Sequence, residues 1–154
     1  MNGFLRLALF EPDMPSNTGS MMRLCACLGV GLDIIEPCGF VLDDRKLKRS
    51  VMDYIGHLAY QRHSKWADFT KQVKPRRLIL LTTKASMPYY QYKFHRDDIL
   101  LVGRESAGVP DEVHRTADAR LTVPMLPGMR SLNVGIAAAI VLGEALRQTK
   151  GFSA

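Results

Sequence analysis

The sequence has few cysteines and no long hydrophobic run. Its three cysteines, Cys25, Cys27 and Cys38, are too few and too unevenly counted for a disulfide framework, and no second cluster has zinc spacing. The most apolar stretch, Val134 to Leu146, is too short to cross a bilayer, and residues 1–6 lack the pattern of a signal peptide. We therefore expect a cytoplasmic protein with reduced thiols, no metal site and no membrane segment.

Repeats, linkers and low-complexity segments are also missing. Hydrophobic residues make up 47% of the chain and charged residues 23%, a composition that argues against a disordered protein. A chain of 154 residues has the usual size of one domain and buries enough surface to fold without disulfides. We therefore predict a single domain over residues 1–154.

The charge is unevenly distributed. The formal net charge is +6, and the basic residues include two clusters: Arg45, Lys46, Lys48 and Arg49, and Lys71, Lys74, Arg76 and Arg77. One such cluster is usually a solvated helix face, whereas two clusters in a basic chain favour binding to RNA or DNA.

Strand-like and helix-like segments alternate along the chain. The pattern predicts strands at 5–10, 32–35, 78–81, 99–102 and 120–123. It predicts helices from about residue 18 to Gly29 with Asn17 as cap, from 43, from a cap at Ser64 to 73, from Pro110, and from about 133 to 149. Continuous apolar strands between helices are typical of a mostly parallel α/β sheet covered on both faces. No G-x-G-x-x-G follows the first strand and no Walker motif is present, which argues against a standard dinucleotide enzyme or P-loop NTPase.

The last predicted helix is apolar on nearly every side. Between Val134 and Leu146 its one charged residue is Glu144, and the small residues Ala138 and Gly143 allow close approach of another backbone. Such a helix must be buried on nearly every side. We predict that a homodimer interface covers it, the alternative being a helix packed wholly within one chain.

Ligands of parallel sheets collect at the loops that leave the carboxyl ends of strands. In residues 17–23, Arg23 lies near the positive end of the predicted helix and suits a phosphate or a developing oxyanion, although a salt bridge would explain it equally well. In residues 103–110, Gly103 admits a ligand close to the backbone and Glu105 can orient it, but a simple strand-to-helix turn would look the same.

A third loop, residues 123–133, follows the last predicted strand. Pro127-Gly128 fits a type II turn. Either Ser131 or Asn133 alone would serve as a helix cap. Both together, beside Arg130, exceed what capping requires.

Taken together, the three loops resemble the motifs of the SPOUT superfamily of RNA methyltransferases, and the resemblance covers essentially the whole chain. The matching residues are Asn17, Gly19 and Arg23 in N-x-G-x-x-x-R, Gly103, Glu105, Gly108 and Pro110 in G-x-E-x-x-G-x-P, and Ser131, Leu132 and Asn133 in S-L-N. Residues 34–37 and 81–84 look like those of the TrmL-type group, which 2′-O-methylates the tRNA wobble nucleotide.

The resemblance implies an α/β fold with a C-terminal trefoil knot and S-adenosylmethionine as methyl donor, without metal. It implies cofactor contacts from Leu81, Gly103, Val123 and Ser131, and catalytic or orienting roles for Arg23, Asn17, Glu105, Ser131 and Asn133. The expected substrate is cytidine or 5-modified uridine at position 34, leucine tRNAs being the expected carriers, and the expected assembly is a homodimer.

Departures at Val109, Val134-Gly135 and Gly143 leave the exact RNA substrate open. Two alternatives therefore stand beside the main interpretation. One is 2′-O-methylation of another tRNA or ribosomal RNA position, although relatives of that kind often carry an added RNA-binding domain. The other is a non-catalytic RNA-binding protein on the same fold, which the intact motifs disfavour.

Overall fold

The computed structural model describes residues 4–43, 45, 58–130 and 132–153. Along these residues, strands and helices alternate as the sequence predicts. The order is β1 (Arg6–Phe10), α1 (Pro15–Leu28), β2 (Gly31–Ile35), β3 (Tyr60–His63), α2 (Trp66–Val73), β4 (Leu78–Leu81), a 3-10 turn (Tyr89–Gln91), β5 (Ile99–Val102), α3 (Asp111–Thr116), β6 (Ala119–Leu121) and α4 (Val134–Thr149).

The strands form one six-stranded sheet in the order β3-β2-β1-β5-β4-β6. Every pairing is parallel, and in the central strand Leu7 lies opposite Leu32 on one side and Leu100 on the other. The α/β prediction is therefore confirmed. All six carboxyl ends lie at one edge of the sheet, which is where the three motif loops begin. The knot and the single-domain organisation stay predictions.

Two apolar layers cover the two faces of the sheet. Alternate residues of β1 belong to different layers, because successive side chains of a strand point to opposite faces. Leu7 and Leu9 pack in the layer that includes residues of α1 and α4, whereas Ala8 and Phe10 pack in the layer that includes Phe69 of α2. Burying one such leucine stabilises the fold by roughly 2 kcal/mol.

Helix α1 begins earlier than the sequence pattern predicts. Pro15 occupies its first turn and Met14 its N-cap position, so the prediction of Asn17 as the cap is wrong. Proline favours the first turn because its φ is already helical and its missing N–H is not needed there. Asn17 therefore lies one turn into the helix, where its side chain bonds to other segments. The helix ends as predicted, at Gly29 with φ 70°.

Other element boundaries differ in smaller ways. Ser64 does not cap α2, which begins after Lys65; its hydroxyl donates instead to the carboxylate of Asp68 at 2.6 Å. Pro110 precedes α3 as its N-cap residue, and the last strand covers 119–121. Strand β3 was not predicted because its sequence, Tyr-Gln-Arg-His, is polar, as an edge strand tolerates. The predicted basic helix from residue 43 falls largely outside the described residues.

Helix α4 is only partly covered within the chain. Its residues Ala138, Val141 and Leu142 are buried against the sheet and α1. The opposite side is open, with Ile136 at 56% and Ile140 at 36% exposure. The monomer itself therefore covers one face of α4 and leaves an apolar stripe open, and its cover by a homodimer interface stays a prediction.

Among the described helices, none combines the length and the apolar character that a membrane span requires.

Candidate active site

A cavity of about 200 Å³ lies at the carboxyl edge of the sheet. Its walls come from the loops after β4, β5 and β6 and from the beginning of α4. Leu81, Gly103 and Val123, three of the four predicted cofactor residues, line it. The fourth, Ser131, lies outside the described residues. Sequence reasoning missed Thr82, Thr122 and Met125 in the lining. The places of Thr82 and Thr122 directly after strands are the signal that would have found these two.

The loop after β5 is tightly closed. Arg104 and Gly108 exchange backbone hydrogen bonds of 3.0 Å in both directions, and Gly108 has φ 61°, a conformation that suits glycine. A Cβ at Gly103 would lie 2.7 Å from the carbonyl carbon of Gly108. Gly103 is therefore required by contact with its own loop, in addition to lining the cavity.

Residues from all three motifs meet in one chain of hydrogen bonds. Oε1 of Glu105 accepts a short bond from the amide of Asn17 and one of 3.2 Å from the backbone N–H of Val134. The Asn133 amide in turn donates to Oδ1 of Asn17 at 3.1 Å. The structure thus brings Asn17, Glu105 and Asn133 together, as the sequence predicts, although they are far apart along the chain.

The orientations of the two amides are determined by their partners. Oδ1 of Asn133 accepts from the N–H groups of Gly135 and Ile136 at 2.9 and 3.1 Å, which caps α4. Its nitrogen is then left to donate to Asn17, whose own nitrogen faces Glu105. Each of these amide atoms then has a complementary partner, with Oε1 of Glu105 as the acceptor for the Asn17 nitrogen.

Arg23 lies on the same helix as Asn17, six residues further along the chain. Because α1 begins at Pro15, Arg23 lies well inside the helix, and the prediction that it lies near the positive helix end is wrong. It is exposed. The six-residue spacing from Asn17 places it about 240° around the helix, since each residue turns about 100°. Within one chain, Arg23 therefore does not point in the same direction as Asn17.

Two of the three cysteines, Cys25 and Cys38, show no sign of a nucleophile. Burial raises the pKa of Cys25 to about 12 and that of Cys38 to about 11. Both thiols are therefore protonated at neutral pH, and a protonated thiol reacts poorly. The histidine His63 is buried on β3 with its Nε2 2.8 Å from Asp33, consistent with a structural role.

His95, Asp97 and Asp98 bring potential metal-ligand atoms within 4.8 Å of one another. This group precedes β5, at the amino edge of the sheet and away from the cavity. The Asp98 carboxylate already accepts from Arg77 at 2.7 and 2.8 Å and from the His95 N–H at 2.7 Å. These bonds give Asp98 a structural role in holding Arg77 and the backbone of His95.

The second basic cluster is less available than its sequence indicates. Arg77 is paired with Asp98, and Arg76 donates to the carbonyl oxygens of Asp97 and Phe4. Lys71 and Lys74 are exposed. The cluster also leads into the amino end of β4, opposite the cavity. Of the first cluster, Lys46, Lys48 and Arg49 lie outside the described residues.

Comparison with known proteins decides the family. Residues 4–143 match the SpoU rRNA Methylase family. The chain belongs to this family. A relative from Beijerinckia indica, named tRNA (cytidine(34)-2'-O)-methyltransferase, is 58% identical over 92% of this chain and 90% of its own. The SPOUT resemblance seen in the motifs is therefore confirmed.

Solved structures of the family agree with the fold. One that addresses the 2-OH methylation of C/U34 on tRNA has a TM-score of 0.89 and 36% identity, covering 96% of this chain and 97% of that one. The SpoU methyltransferase AviRb of Streptomyces viridochromogenes, in complex with the cofactor AdoMet, has a TM-score of 0.86 and 27% identity over 96% of this chain and 61% of its own.

Gly103→Ala tests the closed loop. The added Cβ must displace Gly108, so we expect S-adenosylmethionine binding weakened by about tenfold, or about 1.4 kcal/mol, in calorimetry. Gly143→Ala is the matched control, because a Cβ there meets nothing within 4 Å. Unchanged affinity in Gly103→Ala would show that the cavity wall accommodates the methyl group.

Proposed function

We propose that this chain transfers a methyl group from S-adenosylmethionine to the ribose 2′-hydroxyl of nucleotide 34 in tRNA. The observation that carries the proposal is the hydrogen-bonded cluster of Asn17, Glu105 and Asn133 beside a cavity lined by Leu81, Gly103 and Val123. The proposal is further supported by the tRNA (cytidine(34)-2'-O)-methyltransferase name of the Beijerinckia relative.

The cavity suits S-adenosylmethionine in its chemistry. Apolar side chains, including Leu81, Val109 and Met125, offer contact to an adenine ring, and the loop backbones around Gly103 and Thr122 offer polar groups. When bound, S-adenosylmethionine supplies an already activated methyl group. Leu81, Gly103 and Val123, with Ser131, are the residues that we propose hold it.

The remaining work of the chain is to orient the ribose and stabilise charge. The hydroxyl develops alkoxide character as it loses its proton. We assign stabilisation of that charge to Arg23, because a guanidinium stays protonated and is a poor base. Asn17, Glu105 and Asn133 position the reacting groups, and we place Ser131 with them. The expected gain is alignment, which is a large part of catalysis in group transfer.

The proposed assembly is a homodimer in which one chain's Arg23 serves the cavity of the other. Its first support is the apolar surface beside the cavity, where Leu126 is 75% and Met129 65% exposed, close in sequence to Ile136 and Ile140 of α4. Exposed apolar groups of this kind are typical of interfaces. The second support is that Arg23 and Asn17 point in different directions within one chain.

The proposed partner is tRNA, with leucine tRNAs as expected substrates. A net charge of +6 favours a polyanion. The proposed location is the cytoplasm, which agrees with the three free cysteines, since cytosolic thiols stay reduced.

Nucleoside mass spectrometry tests the proposed function. Purified protein, S-adenosylmethionine and unmodified tRNA are incubated with and without a chelator, and the tRNA is digested and its fragments are mapped. We expect one 2′-O-methylated nucleoside, in the anticodon fragment, at equal yield in both samples. Methylation of ribosomal RNA or of another tRNA position would favour the first alternative, and binding without methylation would favour the second.

A further inference from the structure

Asp13, which no sequence motif singles out, fastens the loop after β5 to the loop after β1. Its carboxylate accepts from the backbone N–H of Glu105 at 3.2 Å and from that of Ser106 at 3.4 Å. It also accepts a short bond from the Ser106 hydroxyl. Three donors from the loop after β5 thus bind one carboxylate, that of Asp13.

Asp13 is itself held in place. The N–H of Gly39 donates to the carbonyl of Pro12 at 2.9 Å. A Cβ at Gly39 would lie 2.7 Å from the Cβ of Asp13, so the segment after β2 packs directly against it. Backbone from the carboxyl ends of β1, β2 and β5 therefore meets at this side chain, and the Asp13 carboxylate has little freedom to move.

The charge of Asp13 matches its donors. The hydrogen bond from the Ser106 hydroxyl, followed by those from the backbone N–H groups, outweighs burial and holds the pKa of Asp13 below its usual value. The side chain is therefore an ionised acceptor at neutral pH. Charge-assisted bonds of this kind are stronger than neutral ones.

Glu105 is consequently held from two directions. The backbone N–H of Glu105 donates to Asp13, while the carboxylate of Glu105 accepts from the Asn17 amide and from the Val134 N–H. Without Asp13, the backbone of Glu105 would lose its hydrogen bond to the loop after β1. Glu105 would then be tied to Asn17 through its side chain alone.

We propose that Asp13, through Ser106 and the backbone of Glu105, is a positioning residue for the Glu105 carboxylate. The inference rests on the proposed function for its kinetic consequence. Displacement of reacting groups by about 1 Å costs about a hundredfold in rate, so a partial loosening is expected to lower kcat by about tenfold.

The test compares Asp13→Asn in two backgrounds. In the wild-type background we expect Asp13→Asn to lower kcat on tRNA by about tenfold. In a Glu105→Gln background we expect it to lower kcat by less than about twofold, because the effects of substitutions within one hydrogen-bond network are not additive. Asp13→Glu is expected to restore part of the rate, and Ser106→Ala to show a smaller loss than Asp13→Asn. Asp97→Asn, an exposed acid at the opposite edge, is the control.

Equal losses of kcat in both backgrounds would overturn the inference, since they would indicate a general structural effect. If Asp13→Asn fails to fold, Ser106→Ala carries the same comparison. Calorimetric affinity for S-adenosylmethionine separates the two proposals. If wild-type protein methylates no tRNA, the proposed function fails. Positioning is then still supported if Asp13→Asn binds the cofactor more weakly than wild type while the double variant binds it as well as Glu105→Gln alone. Equal cofactor affinities of Asp13→Asn and wild type would contradict positioning.

Discussion

Arg23→Ala is expected to lower the rate of methyl transfer to tRNA by about a hundredfold to a thousandfold, the usual cost of losing a group that stabilises developing negative charge. The unfolding midpoint and the affinity for S-adenosylmethionine should stay close to wild type. Arg23 is exposed on α1 and does not line the cavity, so truncation removes little packing. Single-turnover kinetics, calorimetry and thermal unfolding measure the three quantities.

Two further variants sharpen this result. Arg23→Lys keeps the charge but loses the planar fork of donors, so we expect an intermediate rate. Arg115→Ala removes an exposed arginine from α3 and should leave the rate unchanged. Turnover of Arg23→Ala within a few-fold of wild type would remove Arg23 from the mechanism.

Ile140→Glu is expected to convert the proposed dimer to monomers and to abolish methylation. Ile140 is 36% exposed on the open side of α4, one turn after Ile136, so a carboxylate there leaves the monomer core intact. Burying that charge in an interface without a partner is costly. Light scattering and the methylation assay, at equal protein concentration, check both effects.

Ala138→Glu is the informative contrast. Ala138 is 0% exposed within one chain, so its substitution should unfold the monomer, whereas Ile140→Glu should leave it folded. A fully active monomer of Ile140→Glu would contradict the proposed assembly.

Subunit mixing tests whether Arg23 acts across the interface. Arg23→Ala and Glu105→Gln chains are each expected to keep only a small, measurable fraction of wild-type activity alone. Co-refolded, they should regain partial activity, because a mixed dimer contains one cavity with an intact Glu105 and an intact Arg23 from the other chain. Absence of any recovery would place both residues in the same chain's site.

The fold was predictable where one physical signal dominated. The bounds of β4 and β5 agree with the sequence because their residues are continuously apolar and, except for the half-buried Leu81, buried. Strand β3 was missed because an edge strand has no such pattern. The predicted cap at Asn17 failed because the preference of Pro15 for the first turn outweighed it.

The candidate site was predictable in its members but only partly in its geometry. Parallel topology alone brings the loops of Asn17, Glu105 and Asn133 to one edge. The bond from Ser106 to Asp13 joins residues 93 positions apart through two irregular loops, and no local pattern encodes such a contact. The distance of Arg23 from the positive helix end depends on where α1 begins, so an error at the helix start became an error about Arg23.

The most direct measurement is methyl transfer to a tRNA that carries a single 2′-deoxynucleotide at position 34, compared with the same tRNA carrying the ribonucleotide. We expect the ribonucleotide tRNA to accept one methyl group per molecule and the deoxy-substituted tRNA to accept none, although both bind equally well. Methylation of the deoxy-substituted tRNA would contradict transfer to the ribose hydroxyl of nucleotide 34.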